Sequence, residues 1–129
     1  MQQPLVPISI GELIDKITIL QIKQEKIQNE SKLNNINREL NELLTTWLRI
    51  KGSSVDISDL HNDLKAVNEK LWDIEDRIRI KEANSQFDQE FIELARSVYV
   101  QNDSRAALKK EINIRAGSTL IEEKQYQEY

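Results

Sequence analysis

The sequence predicts an all-α fold: an antiparallel bundle of three long helices completed by a short C-terminal helix or arm. Three observations lead there. Only three Gly and two Pro occur in 129 residues, and both prolines, Pro4 and Pro7, precede the first apolar stripe. Much of the chain is Leu, Ile, Lys, Glu, Gln and Arg, residues that sit well in helices. The apolar residues recur in alternating steps of three and four, the period of a helix packed along one seam.

The first helix has a marked start. Ser9 can accept the amide of Glu12, Glu12 can reach back to the amide of Ser9, and Ile8 and Leu13 occupy staple positions. The seam then runs Ile10, Leu13, Ile17, Leu20 and Ile27, with Gln24 in the missing place. The stretch QNESKLNNIN (28–37) weakens it. The step from Ile27 to Leu33 is six residues instead of seven, and Asn and Ser compete with helix by bonding their own backbone. The seam restarts at Leu33 and continues through Ile36, Leu40, Leu43, Trp47 and Ile50. Either one long helix overwinds here, or it kinks or breaks; one helix over 9–50, bent near 28–35, is the preferred expectation.

KGSSVDIS (51–58) reads as a loop, with Gly52 as a C-cap and Asp56 or Ser58 as the next N-cap. A second helix over 58–83 carries Leu60, Leu64, Val67, Leu71, Ile74 and Ile78. Asn84-Ser85 interrupts, with Ser85 as N-cap and Asp88 at N3. A third helix over 86–116 carries Phe87, Phe91, Leu94 and Val98, falters at 101–105, and resumes through Leu108 and Ile112 to Gly117. Thr119-Leu-Ile-Glu122 resembles a further capping box, so the tail, 118–129, is expected as a short helix or an extended arm. The chain reads as one domain. At 1.5 Å per residue the first helix would be roughly 60 Å long and the others nearer 40 Å. A monomer would leave Leu40, Leu43, Leu44, Trp47 and Leu48 uncovered, so a homodimer formed through that end is expected.

Charge and motifs exclude several functions. Eighteen basic and 22 acidic residues give a net charge of -4, against non-specific nucleic-acid binding. With no cysteine there is neither a disulfide framework nor thiolate chemistry. No apolar run approaches the roughly 20 residues of a membrane span, and MQQPLVPISI lacks the features of a secretion signal. A cytoplasmic protein is expected. H-E-x-x-H, C-x-x-C, Walker and Gly-rich fingerprints are absent, and no cofactor is expected. The acidic pairs Glu12 and Asp15, Glu39 and Glu42, and Asp73 and Asp76 have spacings that chance supplies in so acidic a chain, so no metal site is expected. His61, the single histidine, is expected to face solvent.

Two polar stripes need another explanation. Beside its apolar seam, the second helix carries Asn68, Trp72, Glu75, Arg79 and Glu82. A Trp suits a fully solvated face poorly, and Glu75 to Arg79 is the favourable order for an ion pair. The stripe is either a partly exposed flank or the wall of a polar pocket. On the third helix Tyr99, Asn102, Ala106, Lys109 and Asn113 share a face, with Asp103 on its flank and Arg96 a turn earlier. Arg105 falls where Val98 and Leu108 lead one to expect an apolar residue. A buried Arg must be paired; Asp15, Glu69, Glu75 and Asp76 are candidate partners. Three readings of QNDSR (101–105) stand open: a helix break capped by Asn102 or Asp103, a buried network fixing register, or an anion site. In the last, Arg96, Arg105 and Lys109 are donors and Tyr99 and Asn102 orient the ligand. The candidate ligand-binding set is therefore Arg96, Tyr99, Asn102, Arg105, Lys109, Trp72, Glu75 and Arg79. No catalytic residue stands out.

The blocks ISIGELIDKITILQIK, VNEKLWDIEDRIR, FIELARSVYVQNDSRAALKKEIN and GSTLIEEKQY resemble an uncharacterised family of small helical proteins of bacteria and their phages. That resemblance implies a helical fold and no particular activity. GELIDKITILQIKQEKI is similar to the first helix of the all-helical chorismate mutases, intertwined dimers that bind a dicarboxylate with Arg and Lys. Here Lys16 and Lys23 occupy that helix, and no arginine appears before Arg38. The functional expectation is a dimeric helical binding or adaptor protein recognising a partner protein. The alternative is a small enzyme or metabolite-binding protein with an anion pocket between the second and third helices.

Overall fold

The computed structural model describes residues 1–52 and 55–129. Ser53 and Ser54 of the expected 51–58 loop lie outside the described residues. Four helices form: α1 (Ile10–Lys26), α2 (Glu30–Ile50), α3 (Ser58–Ala83) and α4 (Gln89–Ala116). No strand occurs among the described residues.

The expected single helix over 9–50 is two helices. Ile27 is extended at φ -88 and ψ 131, and its N–H closes α1 on the Lys23 carbonyl. Asn29 then caps α2 by accepting the Lys32 amide at 3.0 Å. The six-residue step and the Asn-rich stretch therefore mark a reversal instead of a bend. The physical reason lies in burial. α2 folds back on α1, with Gln24 donating to Asn37 at 2.9 Å, and its stripe of Ile36, Leu40 and Trp47 enters the core. Among the described residues α2 packs on no other helix. The overhanging end of a long first helix, which prompted the expected homodimer, does not exist.

α3 and α4 form the second hairpin. Arg77 pairs with Glu90 near the turn, and Asp59 with Arg115 at the open end, so the two helices run antiparallel. The expected Ser85 cap is displaced. Ser85 has a positive φ of 53 within the turn, and Asp88 caps α4 by accepting the Phe91 amide at 3.0 Å. α4 runs unbroken through QNDSR, which removes the helix-break reading of that segment. At its end Gly117 adopts φ +70, Ser118 N–H bonds the Asn113 carbonyl, and Gly117 N–H bonds the Ile114 carbonyl, a Schellman closure. Residues 118–129 contain no helix and lie as an arm.

The chain is all-helical as expected, with four helices in place of three long ones. Asp15 of α1 contacts both Asn68 of α3 and Arg105 of α4. Towards its N-terminus α1 meets α4 at Lys109 and Asn113. Towards its C-terminus it meets α3 at His61 and Lys65. The α4 contacts run opposite in direction to α1, from Gly11–Asn113 to Asp15–Arg105, while α3 is met further along, so α1 passes from one helix of the hairpin to the other. It is clasped between that hairpin and α2, and it supplies Leu13, Ile14, Ile17 and Leu20 to one core with Leu40, Trp47, Leu60, Leu64 and Ile112. Beyond Ile74 and Leu94 no residue of the α3–α4 hairpin is buried. The outer end of the hairpin, beyond Arg79 of α3, thus projects past the cleft that α3 shares with α1.

Candidate functional site

The crossing of α1 over α4 is unusually close because residue 11 is glycine. A Cβ there would press into the Lys109 carbonyl oxygen and lie 3.0 Å from Asn113 Oδ1. The close approach lets α4 and the arm cap α1. Ser118 Oγ accepts the Ile10 amide at 3.1 Å, Asn113 Oδ1 the Gly11 amide at 2.6 Å, and Ser9 Oγ the Glu12 amide at 3.1 Å. These three amides, left open by helix geometry, all have side-chain partners. Only half of the expected capping box forms, since the Glu12 carboxylate turns to Lys109 at 2.6 Å.

One turn further on, Asp15 is 1% exposed. Arg105 binds it in fork fashion, Nε to Oδ1 at 2.9 Å and Nη2 to Oδ2 at 2.5 Å. Asn68 donates to Asp15 Oδ1 and to Thr18 Oγ1, both at 2.9 Å, and Thr18 donates to the Asp15 carbonyl at 2.8 Å. The hydrogen bond to Asp15 holds the Arg105 guanidinium above its ordinary pKa. Alongside, burial opposes the charges of Lys109 and Glu12. Their mutual hydrogen bond, with the one Lys109 donates to Glu122, outweighs it, leaving the Lys109 pKa raised and the Glu12 pKa lowered. Of the four partners considered for Arg105, Asp15 is the one engaged.

Two clefts flank this network and share Asn102 and Arg105. The first, about 480 Å³, lies between α1 and α3, where Ile19, Ile22, Leu71 and Trp72 meet Asn68, Glu75, Asp76 and Arg79. The second, about 1180 Å³, lies between α4 and the C-terminal arm, and Tyr99 and Lys109 line it. The arm is held by Glu122 on Lys109, Glu123 on Lys110, Lys124 on Asp103, and the Tyr129 ring edge-on to Tyr99 at 5.1 Å.

Seven of the eight candidate residues therefore line one of these clefts. Trp72, Glu75 and Arg79 lie in the first, Tyr99 and Lys109 in the second, and Asn102 and Arg105 in both. Arg96 lines neither; it is exposed, with its Nε 3.5 Å from the Tyr99 hydroxyl. Arg105, Lys109 and Lys124 each face a carboxylate, so the charge expected for an anion is largely spent within the protein. His61 is half-buried instead of solvent-facing; its Nε2 is 3.1 Å from Gln21 Oε1, and burial lowers its pKa. Among the described residues no three His, Asp or Glu side chains converge as a metal site would require.

Sequence reasoning overlooked Gly11, Thr18 and the capping role of Asn113. Gly11 did carry a signal, since a glycine inside a helical pattern costs about 1 kcal/mol against alanine.

These features define a small all-α protein of two helical hairpins, joined where α1 crosses the second through a buried ion pair. None of its described helices is long and apolar enough to cross a membrane. The chain belongs to a family of unknown function (DUF6165), whose model matches residues 5–129. No curated protein and no solved structure matches it.

Proposed function

We propose that this protein is a helical binding or adaptor protein that recognises a partner protein through the outer part of the α3–α4 hairpin. The apolar surface on that projection supports the reading. Ile80, Phe87 and Ile92 are 58%, 60% and 46% exposed. The hairpin seam does not need them, because Ile74, Ile78, Phe91, Leu94 and Val98 already occupy it. The neighbouring charges neutralise one another: Arg77 pairs with Asp73 and Glu90, and Lys81 with Asp88 and Glu90. A surface of that kind gains by being covered. Phe87, edge-on to Phe91 at 5.3 Å, is the natural anchor; fully burying such a side chain contributes roughly 1.5–3 kcal/mol. An anion-clamping enzyme has less support, since the cations of the second cleft are paired internally.

A photo-cross-linking residue placed at Phe87 or Ile92 tests the reading inside cells. It should capture one defined protein that the same probe at Lys16 does not. With the probe at Ile92, Phe87→Ser with Ile80→Ser should abolish capture and leave the melting temperature unchanged, because both side chains are exposed. Light scattering then tells whether the captured partner is a second 15.1 kDa copy, as in the expected cytoplasmic homodimer. Capture that survives both substitutions, or no defined product from either position, would overturn the proposal.

A further inference from the structure

The cleft beside Trp72 has features that partner binding does not use. Its volume, about 480 Å³, lies in the range of small-molecule sites. Asn68 on its floor is 6% exposed, and both of its amide hydrogens are taken by Asp15 and Thr18. Its Oδ1 accepts no hydrogen bond from any described residue. No described side-chain polar atom is both sealed from solvent and unpaired, so that oxygen opens into the cleft that Asn68 lines. Arg105 commits Nε and Nη2 to Asp15 and keeps Nη1–H free. The Asn102 carboxamide makes no hydrogen bond to the described protein, and it borders the same space. A fixed acceptor, a donor and an adaptable amide thus surround a cleft walled by Leu71 and the Trp72 indole.

The charges narrow the ligand class. Asp15 neutralises Arg105, and Glu75 neutralises Arg79 at 3.2 Å. A phosphate or dicarboxylate finds no unpaired cation there. At the floor a cationic head would meet the free N–H groups of Arg105; Asp76, on the wall, has no ion pair among the described residues. A planar, uncharged ring fits: one face on Trp72, and an edge that presents an N–H donor beside an acceptor. Carboxamide and guanidinium groups pair with such edges on nucleobases, and aromatic side chains stack on them.

We propose that this cleft binds a planar, uncharged nitrogen heterocycle of the nucleobase or nucleoside class. The ring stacks on Trp72, an exocyclic amine donates to Asn68 Oδ1, and an adjacent ring nitrogen or carbonyl accepts from the Asn102 carboxamide, with the free Arg105 N–H beside it. The ribose leaves through the open mouth. This site is independent of the hairpin surface, so either can fail alone.

Nitrogen-15 NMR titration of the whole chain with adenosine, cytidine, uridine, adenosine monophosphate and choline tests the assignment. Adenosine or cytidine should shift the Trp72 indole and the Asn68 and Asn102 side-chain amides saturably at millimolar concentration or below. The monophosphate should bind no tighter than adenosine. Asn102→Ala, which breaks no hydrogen bond in the free protein, should cut affinity at least tenfold and leave the fold intact. Absence of saturable shifts with any nucleoside overturns the proposal. So does tighter binding of the monophosphate or choline, or full affinity in Asn102→Ala.

Discussion

Replacing Gly11 with alanine sets two forces against each other with opposite signs. Helix propensity alone favours the change by about 1 kcal/mol, because glycine is the poorer helix former. Packing opposes it. The new Cβ would collide with the Lys109 carbonyl oxygen and lie 3.0 Å from the carbonyl carbon of the same residue. Both are backbone atoms, so no side-chain rotation relieves the contact, and α1 must move off α4. Overpacking of that kind costs about 1–3 kcal/mol. The same movement stretches the buried 2.6 Å bond from the Gly11 amide to Asn113, at a further cost of about 1–3 kcal/mol. Mid-range values leave a net loss of about 3 kcal/mol. With an unfolding entropy of about 2.1 cal/mol/K per residue, each kcal/mol moves the melting temperature of a chain this size by roughly 4 °C. Circular-dichroism melts should show Gly11→Ala unfolding about 7–15 °C below the parent protein. Gly117→Ala serves as the comparison: nothing crowds its Cβ, and only the φ of +70 penalises it, by about 1–2 kcal/mol. A Gly11→Ala protein as stable as its parent, or more so, would refute the close crossing of α1 and α4.

Other consequences can be checked in the same melts. Arg105→Ala strands a carboxylate that is 1% exposed and should cost about 3–5 kcal/mol; Arg105→Lys should rescue it poorly, because an ammonium cannot reproduce the fork. Asn29→Ala removes the cap that starts α2 and should cost about 1 kcal/mol, whereas no loss would mean that the reversal at 27–29 does not depend on it. Burial lowers the His61 pKa below its ordinary 6.5, so the unfolded chain takes the proton first. The contribution of neutral His61 is intact above pH 6.5 and is lost progressively as pH falls towards the folded-state pKa. His61→Gln should flatten that part of the stability profile, and an unchanged slope would show that His61 does not set it.

Much of the helical content was legible because seams and turn residues act locally. Leu60, Leu64, Ile74 and Leu94 were placed on apolar seams from spacing alone, and all four are buried. The reversal at Ile27–Asn29 was visible as a weak spot but read as a bend. Local propensity reports that a helix is strained there; it does not report that α1 has a second face needing cover. The close crossing of α1 and α4 was not legible at all, since it depends on the absence of a side chain at Gly11 and on Asn113 meeting it 102 residues away. For the polar stripes, helical period put Trp72, Glu75 and Arg79 on one face and Tyr99, Asn102 and Lys109 on another. The need of a buried guanidinium for a carboxylate brought Asp15 into consideration. Asn68 appeared on a stripe, but its bridging of Asp15 and Thr18 requires three elements in contact, which no single helical pattern encodes.

The pairing of Asp15 with a residue 90 positions later also bears on how the chain is made. Synthesis delivers the N-terminal hairpin first, and while Arg105 is still unmade, that hairpin carries an ionised group in the middle of its greasiest surface. Dehydrating a lone carboxylate is strongly unfavourable, so the nascent fragment resists collapsing onto wrong neighbours and stays hydrated at that spot. In the folded chain this carboxylate has its guanidinium partner only from residue 105, so the first hairpin alone leaves it unpaired.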